Sequence, residues 1–477
     1  MNNIVMKFGG TSVAGAERIA RAADIARDFF AGQLPHANPA DRRLVIVVSA
    51  FSGVTDALIK AARSAATRDE QTFRQVAQDL RQKHWAAIET LVPFSDRQAS
   101  LRAEVEALVS GFENLCRAIT ILGELTPRGL DAVVSLGERL SARITAAALA
   151  ERGMPSQAVD ATGLIVTDDC FGEAMPQMQA TRQKSREVLL PFMERNITPV
   201  VTGFIGATAD GVTSTLGRGG SDYSAAILGS CLDSDEIWIW SDVNGVMTAD
   251  PRIVREAHTL PRISYGEAAE LAYFGGKVLH PKTMLPAMEK NIPIRILNTF
   301  EPQHPGTVVT TGNGNGPASA AVKAITTIRD LGMVMVEGRG MMGVPGIAAK
   351  VFSAVAHEGI SVLMISQASS EQSICFIIRQ QDSARAIAAL ERTFELELAR
   401  HNVDRISAQS HVAIVAVVGA GMRGTPGIGA KVFGALGQRG INVISVAQGS
   451  SEYNISLVVK QDEAHDAVRA IHQEFEL

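Results

Sequence analysis

A chain of 477 residues, 46% hydrophobic and 20% charged, carries more apolar side chain than one ordinary core holds, so two or three domains are expected. Its 45 lysines and arginines against 50 aspartates and glutamates leave a formal charge of −5, which excludes the basic footprint of a nucleic-acid binder. No signal-like segment opens the chain and no apolar run approaches the roughly 18 residues of a membrane span, so a cytoplasmic protein without a membrane partner is expected. The four cysteines, at 116, 170, 231 and 375, form no C-x-x-C pair and read as buried free thiols, not as a zinc site or a disulfide framework.

The first predicted element is a strand, "IVMKF", followed by a helix over residues 16–30 with Ile19, Ala22, Ala26 and Phe29 on one face, then a second strand, "RLVIVVSA". Residues 57–122 are helix-rich and read as an excursion from a sheet. Further strands are predicted at 163–167, 198–204, 236–240 and 293–298, with helical stretches between them. That alternation gives an α/β fold, a mostly parallel sheet covered by helices on both faces. At residue 311 "TGNGNGPASAA" can sustain neither regular element, which places a linker over 311–321.

Beyond it lies an internal repeat. "VPGIAAKVFSAVAHEGISVLMISQASSEQSICFII" starts at Val344 and "TPGIGAKVFGALGQRGINVISVAQGSSEYNISLVV" at Thr425, 81 positions later (425 − 344). The copies align without a gap from 341 with 422 to 378 with 459. Each reads as turn, amphipathic helix, strand, hairpin turn and strand, preceded by another strand such as "MVMVEG" or "AIVAVVG", half or more of a ferredoxin-like unit.

Four stretches of the first part place polar residues at strand-to-helix junctions, where open α/β sheets bind ligands: "KFGGTS", "SAFSGVTDAL", "SLGERLSA" and "TSTLGRGGSDYSAA". Lys7 precedes its glycines, whereas a P-loop lysine follows them, so this is no Walker motif. Taken singly, Lys7 reads as a strand-end lysine reaching water, Glu138 as an acidic residue in a helix first turn, and Asp222 as a helix N-cap.

Together with "WSDVNGVMTADPR" (240–252) and "FGGKVLHP" (274–281), these stretches resemble the aspartokinases of the amino acid kinase superfamily. The resemblance spans essentially the whole chain, because that family ends in paired ACT domains. It implies an amino acid kinase domain over 1–310 and two ferredoxin-like βαββαβ ACT domains. The first, 331–402, is inserted within the second, 322–330 with 403–477. The implied activity is ATP-dependent phosphorylation of the β-carboxylate of L-aspartate to 4-phospho-L-aspartate, the first step of aspartate-family amino acid synthesis. Since some relatives continue into a homoserine dehydrogenase and this sequence stops after the second repeat, a monofunctional enzyme is expected. Two other readings stand beside it: a sibling kinase for glutamate, N-acetylglutamate or a nucleoside monophosphate, and an amino-acid sensor with an inactive kinase domain. The ACT repeat argues against the first. Retention of Lys7, Glu138, Arg218, Asp222 and Lys277 together argues against the second.

The resemblance also implies residue roles. Lys7 reaches the transferring phosphoryl group, Gly9 and Gly10 cradle it, Asp222 organises the lysines, and Lys277 contacts the nucleotide phosphates or closes over them. Arg218 suits a carboxylate bidentately, Glu138 an α-ammonium group, and Ser49, Thr55 and Ser221 supply hydroxyl donors. Ser241, Asp242, Met247, Asp250 and Arg252 belong to the adenine and ribose segment; Ser241 replaces a threonine of several relatives, and Met247 a frequent tyrosine. No tightly bound cofactor and no protein metal cage are expected, magnesium arriving with ATP. An amino-acid effector is expected at Met341, Val344, Gly346, Ile347, Ala348, Ser361, Val362, Gln367 and the equivalent Gln448. Lysine-sensitive relatives place an aspartate after "ISV", where this chain has Leu363, and "ISQASSE" and "AQGSSE" resemble the threonine-responsive branch. Threonine is therefore favoured over lysine. ACT sheets pairing edge to edge imply a homodimer or a tetramer.

Overall fold

The computed structural model describes residues 2–36, 42–93, 96–276, 279–312, 321–367, 372–449 and 452–477. Its contacts fall into two compact units, one of residues 1–246, 261–265 and 279–312, the other of 247–260, 266–278 and 313–477.

In the first unit the strand Asn2–Phe8 pairs in parallel with Arg42–Val48 on one side and Glu236–Ser241 on the other. Ile4 to Phe8 are all buried, as a parallel strand covered on both faces requires. The sheet has eight strands in the order Ser156–Val159, Thr198–Thr202, Arg42–Val48, Asn2–Phe8, Glu236–Ser241, Ile294–Asn298, Thr307–Thr310 and Arg262–Ser264. Only the pairing of Ile294–Asn298 with Thr307–Thr310 is antiparallel. On one face the helix Ala16–Ala31 buries Ile19, Ala22, Ala26 and Phe29 against Met6, Phe8, Ile46 and Val48, and ends at Gly32, whose φ of 73° needs a residue without Cβ. The helix-rich excursion is three helices, Val54–Ala66, Glu70–Leu91 and Asp96–Leu122, whose Phe73, Leu80, Val105 and Phe112 extend the same core. On the other face lies the helix Gly220–Cys231, almost wholly buried.

Two strand expectations need correction. Residues 163–167 do not form a strand of the main sheet: Ala161–Gly163 is a 3-10 turn and only Val166–Thr167 is extended, in a separate three-stranded sheet. The strand Ser156–Val159 at the edge of the main sheet was not expected at all. Cys170 is exposed, contrary to the expectation of buried thiols, while Cys116 and Cys231 are buried.

The second unit centres on a six-stranded antiparallel sheet ordered Met364–Gln367, Ser373–Arg379, Ala324–Glu337, Arg405–Val418, Asn454–Lys460 and Ser445–Gln448. Its two central strands have 14 residues each and serve both repeats. Leu331 to Glu337 pairs with the first repeat's Ser373–Arg379, whereas Ala324 to Ile328 pairs with Ile414 to Val418 beside the second repeat. Separate cores form around Val351, Phe376 and Leu390, and around Val432, Leu457 and Ile471. Ala249 and Val254 pack into the latter core, and Glu267 accepts from the Ala420 amide at 2.7 Å and pairs with Lys323 at 2.9 Å.

Candidate active site

The carboxyl ends of the first unit's strands surround a cavity of about 580 Å³. Its walls come from the four polar stretches: Lys7 and Gly10; Ser49 and Thr55; Glu138; and Arg218, Ser221 and Asp222. Each is placed by a local device. Lys7 is the penultimate residue of the central strand and only 8% exposed; its Nζ lies 2.6 Å from Oδ1 of Asp222. Asp222 sits in the first turn of the helix Gly220–Cys231, whose N-cap is Gly219, so its carboxylate serves the lysine and not the cap. The turn after Lys7 is fastened through the Gly9 amide on the Trp240 carbonyl (3.2 Å) and the Ser12 hydroxyl against that of Thr299 (2.7 Å).

Glu138 lies in the first turn of the helix Leu136–Glu151 and is 3% exposed. Oε1 accepts from the Ala50 amide at 3.1 Å, and Oε2 has no partner among the described residues. Burial pushes its carboxyl up to about 8. Gly137 allows the helix to come this close, since a Cβ there would stand 2.7 Å from that of Ala50. Arg218 is exposed at the cavity wall, and its guanidinium makes no hydrogen bond or ion pair with any described residue. One buried carboxyl with a free oxygen, one clamped cation and one unpaired cation thus face the same space, an arrangement suited to a zwitterionic ligand with a further acidic group, whose ammonium would favour the ionised carboxylate.

Two layers behind this wall escaped the sequence reading. Asp131 lines the cavity, and its carboxylate ties three segments together; burial raises its pKa although three donors oppose the rise. Lys83 donates to the Ser52 carbonyl at 2.7 Å while the buried His84 ring stacks on Phe51 at 4.6 Å, so the helix Glu70–Leu91 braces the loop that carries Ser49 and leads into the helix bearing Thr55.

A model of the amino acid kinase family matches residues 2–298, and an ACT domain model matches 334–394 and 415–475. Aspartokinase 3 of Arabidopsis thaliana, a chloroplastic protein, is 35% identical over 485 residues, covering 99% of this chain and 81% of the relative. The chain belongs to the aspartokinases. It is 40% identical over 474 residues to the chloroplastic bifunctional aspartokinase/homoserine dehydrogenase 1 of Zea mays, but spans only 50% of that protein. About half the length of the bifunctional plant relatives is thus matched. The structure of E. coli aspartokinase III in complex with aspartate and ADP superimposes with a TM-score of 0.78 at 30% identity, over 99% of this chain and 100% of that one. The same enzyme with lysine and aspartate gives 0.79 at 31%, over 99% of both chains. Both the amino acid kinase fold and the ferredoxin-like ACT pair are thereby established.

The remaining expected site residues are distributed as follows. Ser241 ends its strand, with its hydroxyl 3.5 Å from the Leu297 carbonyl, and Asp242 follows it, exposed. Met247, Asp250 and Arg252 belong to the second unit, where Met247 accepts from the Thr259 hydroxyl (3.5 Å) and Arg252 closes on Asp250 (2.6 Å). Lys277 lies outside the described residues. In the first repeat Met341 is buried, Val344 is exposed, and Gly346, at φ 91°, caps the helix Ile347–His357, whose Ile347 and Ala348 lean on the core. Ser361 is exposed and Val362 half-buried. Gln367 and Gln448 end the two edge strands, both exposed. Among the described residues no helix is long and apolar enough to cross a membrane, and no group of three histidines, cysteines or acids could hold a metal.

Proposed function

We propose that this chain is an aspartate kinase, transferring the terminal phosphoryl group of ATP to the β-carboxylate of L-aspartate, and that its ACT pair makes it answer to an amino acid. The observation that carries the reading is the convergence of clamped Lys7, unpaired Arg218 and half-satisfied Glu138 on one cavity. It is supported by the 30% identity to E. coli aspartokinase III, which binds aspartate and ADP.

In this reading ionised Glu138 takes the α-ammonium group and Arg218 one carboxylate, with hydroxyls of Ser49, Thr55 and Ser221 on the remaining oxygens. The β-carboxylate is already ionised at neutral pH, so its oxygen attacks phosphorus as the bond to ADP breaks, and no general base is required. Lys7, aligned by Asp222, opposes the charge that spreads over the transferring oxygens. Gly9, Gly10, Ser241, Asp242, Met247, Asp250, Arg252 and Lys277 serve the nucleotide. Magnesium enters with ATP, held mainly by phosphates and water. The kinase domain is assigned to 1–310 and the ACT domains to 331–402 and to 322–330 with 403–477. Their sheets join a homodimer or tetramer. Threonine is the favoured effector, because Leu363 offers nothing to a lysine ammonium group.

Hydroxylamine trapping decides the matter. Aspartate and ATP should give aspartyl hydroxamate, glutamate and N-acetylglutamate should not, and Lys7→Ala should slow formation on the order of a hundredfold. No hydroxamate from aspartate with the parent chain overturns the reading.

A further inference from the structure

Asp131 sits in the helix Pro127–Val134, which leads directly into the helix that carries Glu138. It is 2% exposed and no cation pairs with it among the described residues. Oδ2 accepts from the amides of Gly172 and Thr215, both at 2.9 Å, and Oδ1 from the Thr215 hydroxyl at 2.8 Å. Thr215 ends the strand Thr213–Thr215, three residues before Arg218, and its carbonyl accepts from the Ala174 amide at 2.8 Å. One carboxylate therefore fastens the arm bearing the free guanidinium to the helix pair bearing the buried glutamate, over sequence separations of 41 and 84 residues.

We infer that Asp131 is a positioning residue that fixes the spacing between Glu138 and Arg218, and through it the length of the acceptor amino acid the cavity takes. The inference rests on the reading of those two residues as the grips on the acceptor. Asp131 acts through Thr215: three of its acceptor positions are spent on the chain itself, two on backbone amides, of which that of Thr215 would otherwise lie buried and unpaired. Those bonds run between elements distant in the sequence, so the contact sets a separation and not merely a local turn. A four-carbon dicarboxylate and a five-carbon one differ by one methylene, and a displaced arm should lose its preference for the shorter before it loses the nucleotide.

Separate titrations of aspartate, glutamate and ATP test this. Asp131→Ala should raise the aspartate KM about tenfold or more, as a small misplacement of a grip does, and leave the ATP KM within about twofold. The ratio of kcat/KM for aspartate over glutamate should fall with it. Asp131→Asn should recover most of the loss: its carboxamide oxygen can take both amides while its NH2 donates to the Thr215 hydroxyl, which accepts as readily as it donates. Equal rises for aspartate and ATP would overturn the inference. So would an asparagine variant as damaged as the alanine one, which would make the charge itself the contact. If Asp131→Ala fails to fold, Thr215→Val deletes one of the three bonds, and an unchanged aspartate KM and aspartate-to-glutamate ratio there count against the proposal equally. A parent chain inert toward aspartate overturns both this inference and the function beneath it, whereas an active parent with an indifferent Asp131→Ala overturns this one alone.

Discussion

Glu138 stands at the point where the chemistry of the site and the stability of the fold oppose each other. Its carboxyl is pushed up to about 8 when folded, against an ordinary value of 4.5, because burial disfavours the charge and the amides of Ala50 and of Glu138 itself only partly offset that. With a raised folded pKa, the native state holds a proton that the unfolded state releases. The resulting stabilisation is full below 4.5 and is lost as pH rises toward 8. Glu138→Gln removes that loss, so thermal unfolding without ligand should show the variant gaining on the parent between pH 5 and pH 8. A constant difference across that range would contradict the burial argument. Aspartate binding should run the other way, kcat/KM rising as pH climbs to about 8, because the ammonium grip needs the ionised form. At this scale the sequence was legible where polar residues broke into apolar strand ends, as at Lys7 and Glu138. Asp131 was not legible: in "RGLDAVV" it looks like the wet face of a short helix, and its partners lie 41 and 84 residues away.

Elements were legible in proportion to how much apolar surface they bury. The strands Asn2–Phe8 and Arg42–Val48 run through the middle of the sheet and read as unbroken hydrophobic runs. Ser156–Val159 forms the sheet edge and is only partly buried, so nothing in "SQAV" announces it. Residues 163–167 carry strand-like side chains, but the first part of the run is drawn into a turn, where the Ile165 amide bonds to the Ala161 carbonyl at 2.7 Å, and only Val166–Thr167 is extended. Helix placement is also set by what a position lacks. Gly137 is the second residue of the helix Leu136–Glu151, where alanine would improve helix propensity by up to about 1 kcal/mol. Its Cβ, however, would meet the Ala50 Cβ at 2.7 Å, a rigid neighbour with no rotamer to yield. Overpacking of this kind costs about 1–3 kcal/mol, so Gly137→Ala should destabilise the chain despite its propensity. The aspartate KM should rise as well, since the backbone shift carries Glu138 with it. Calorimetry and aspartate titration check the two effects, and a stabilised variant with unchanged KM would show that the close approach is not needed.

On the scale of the whole molecule the 81-residue repeat reaches beyond the aligned segment. Asp330 and His411, 81 apart (411 − 330), both take a left-handed conformation where the long central strands pass from one repeat to the other, at φ 59° and 58°. Each amide is met by a glutamine side chain, Gln461 at 2.7 Å and Gln380 at 3.0 Å, themselves 81 apart (461 − 380). Neither strand completes its pairing without both repeats, so the ACT pair is one intertwined body with two near-equivalent edges. On those edges Ile365 and Val446 occupy matching places, 50% and 41% exposed, followed in turn by Gln367 and Gln448. The position that precedes each edge strand is apolar in both repeats, Leu363 and Ile444, and each spends its amide on the neighbouring strand, at Ile377 and Val458. Leu363, in the first repeat, spends its amide on Ile377 and its carbonyl on the Tyr273 hydroxyl at 2.9 Å, leaving only an apolar side chain for a ligand. The leucine side chain supplies no counter-charge to an ammonium group desolvated there, whereas a threonine side chain needs only a neutral partner such as the Gln367 carboxamide. Threonine should therefore inhibit aspartate-dependent ADP release and lysine alone should not. Gln367→Ala should raise the threonine concentration for half-inhibition about tenfold, the loss of roughly one hydrogen bond that leaves its partner unpaired. Gln448→Ala, at the equivalent place on the other edge, should weaken the threonine response as well. Strong inhibition by lysine with none by threonine would refute the charge argument, and a threonine response unchanged by both substitutions would refute the role of the glutamines.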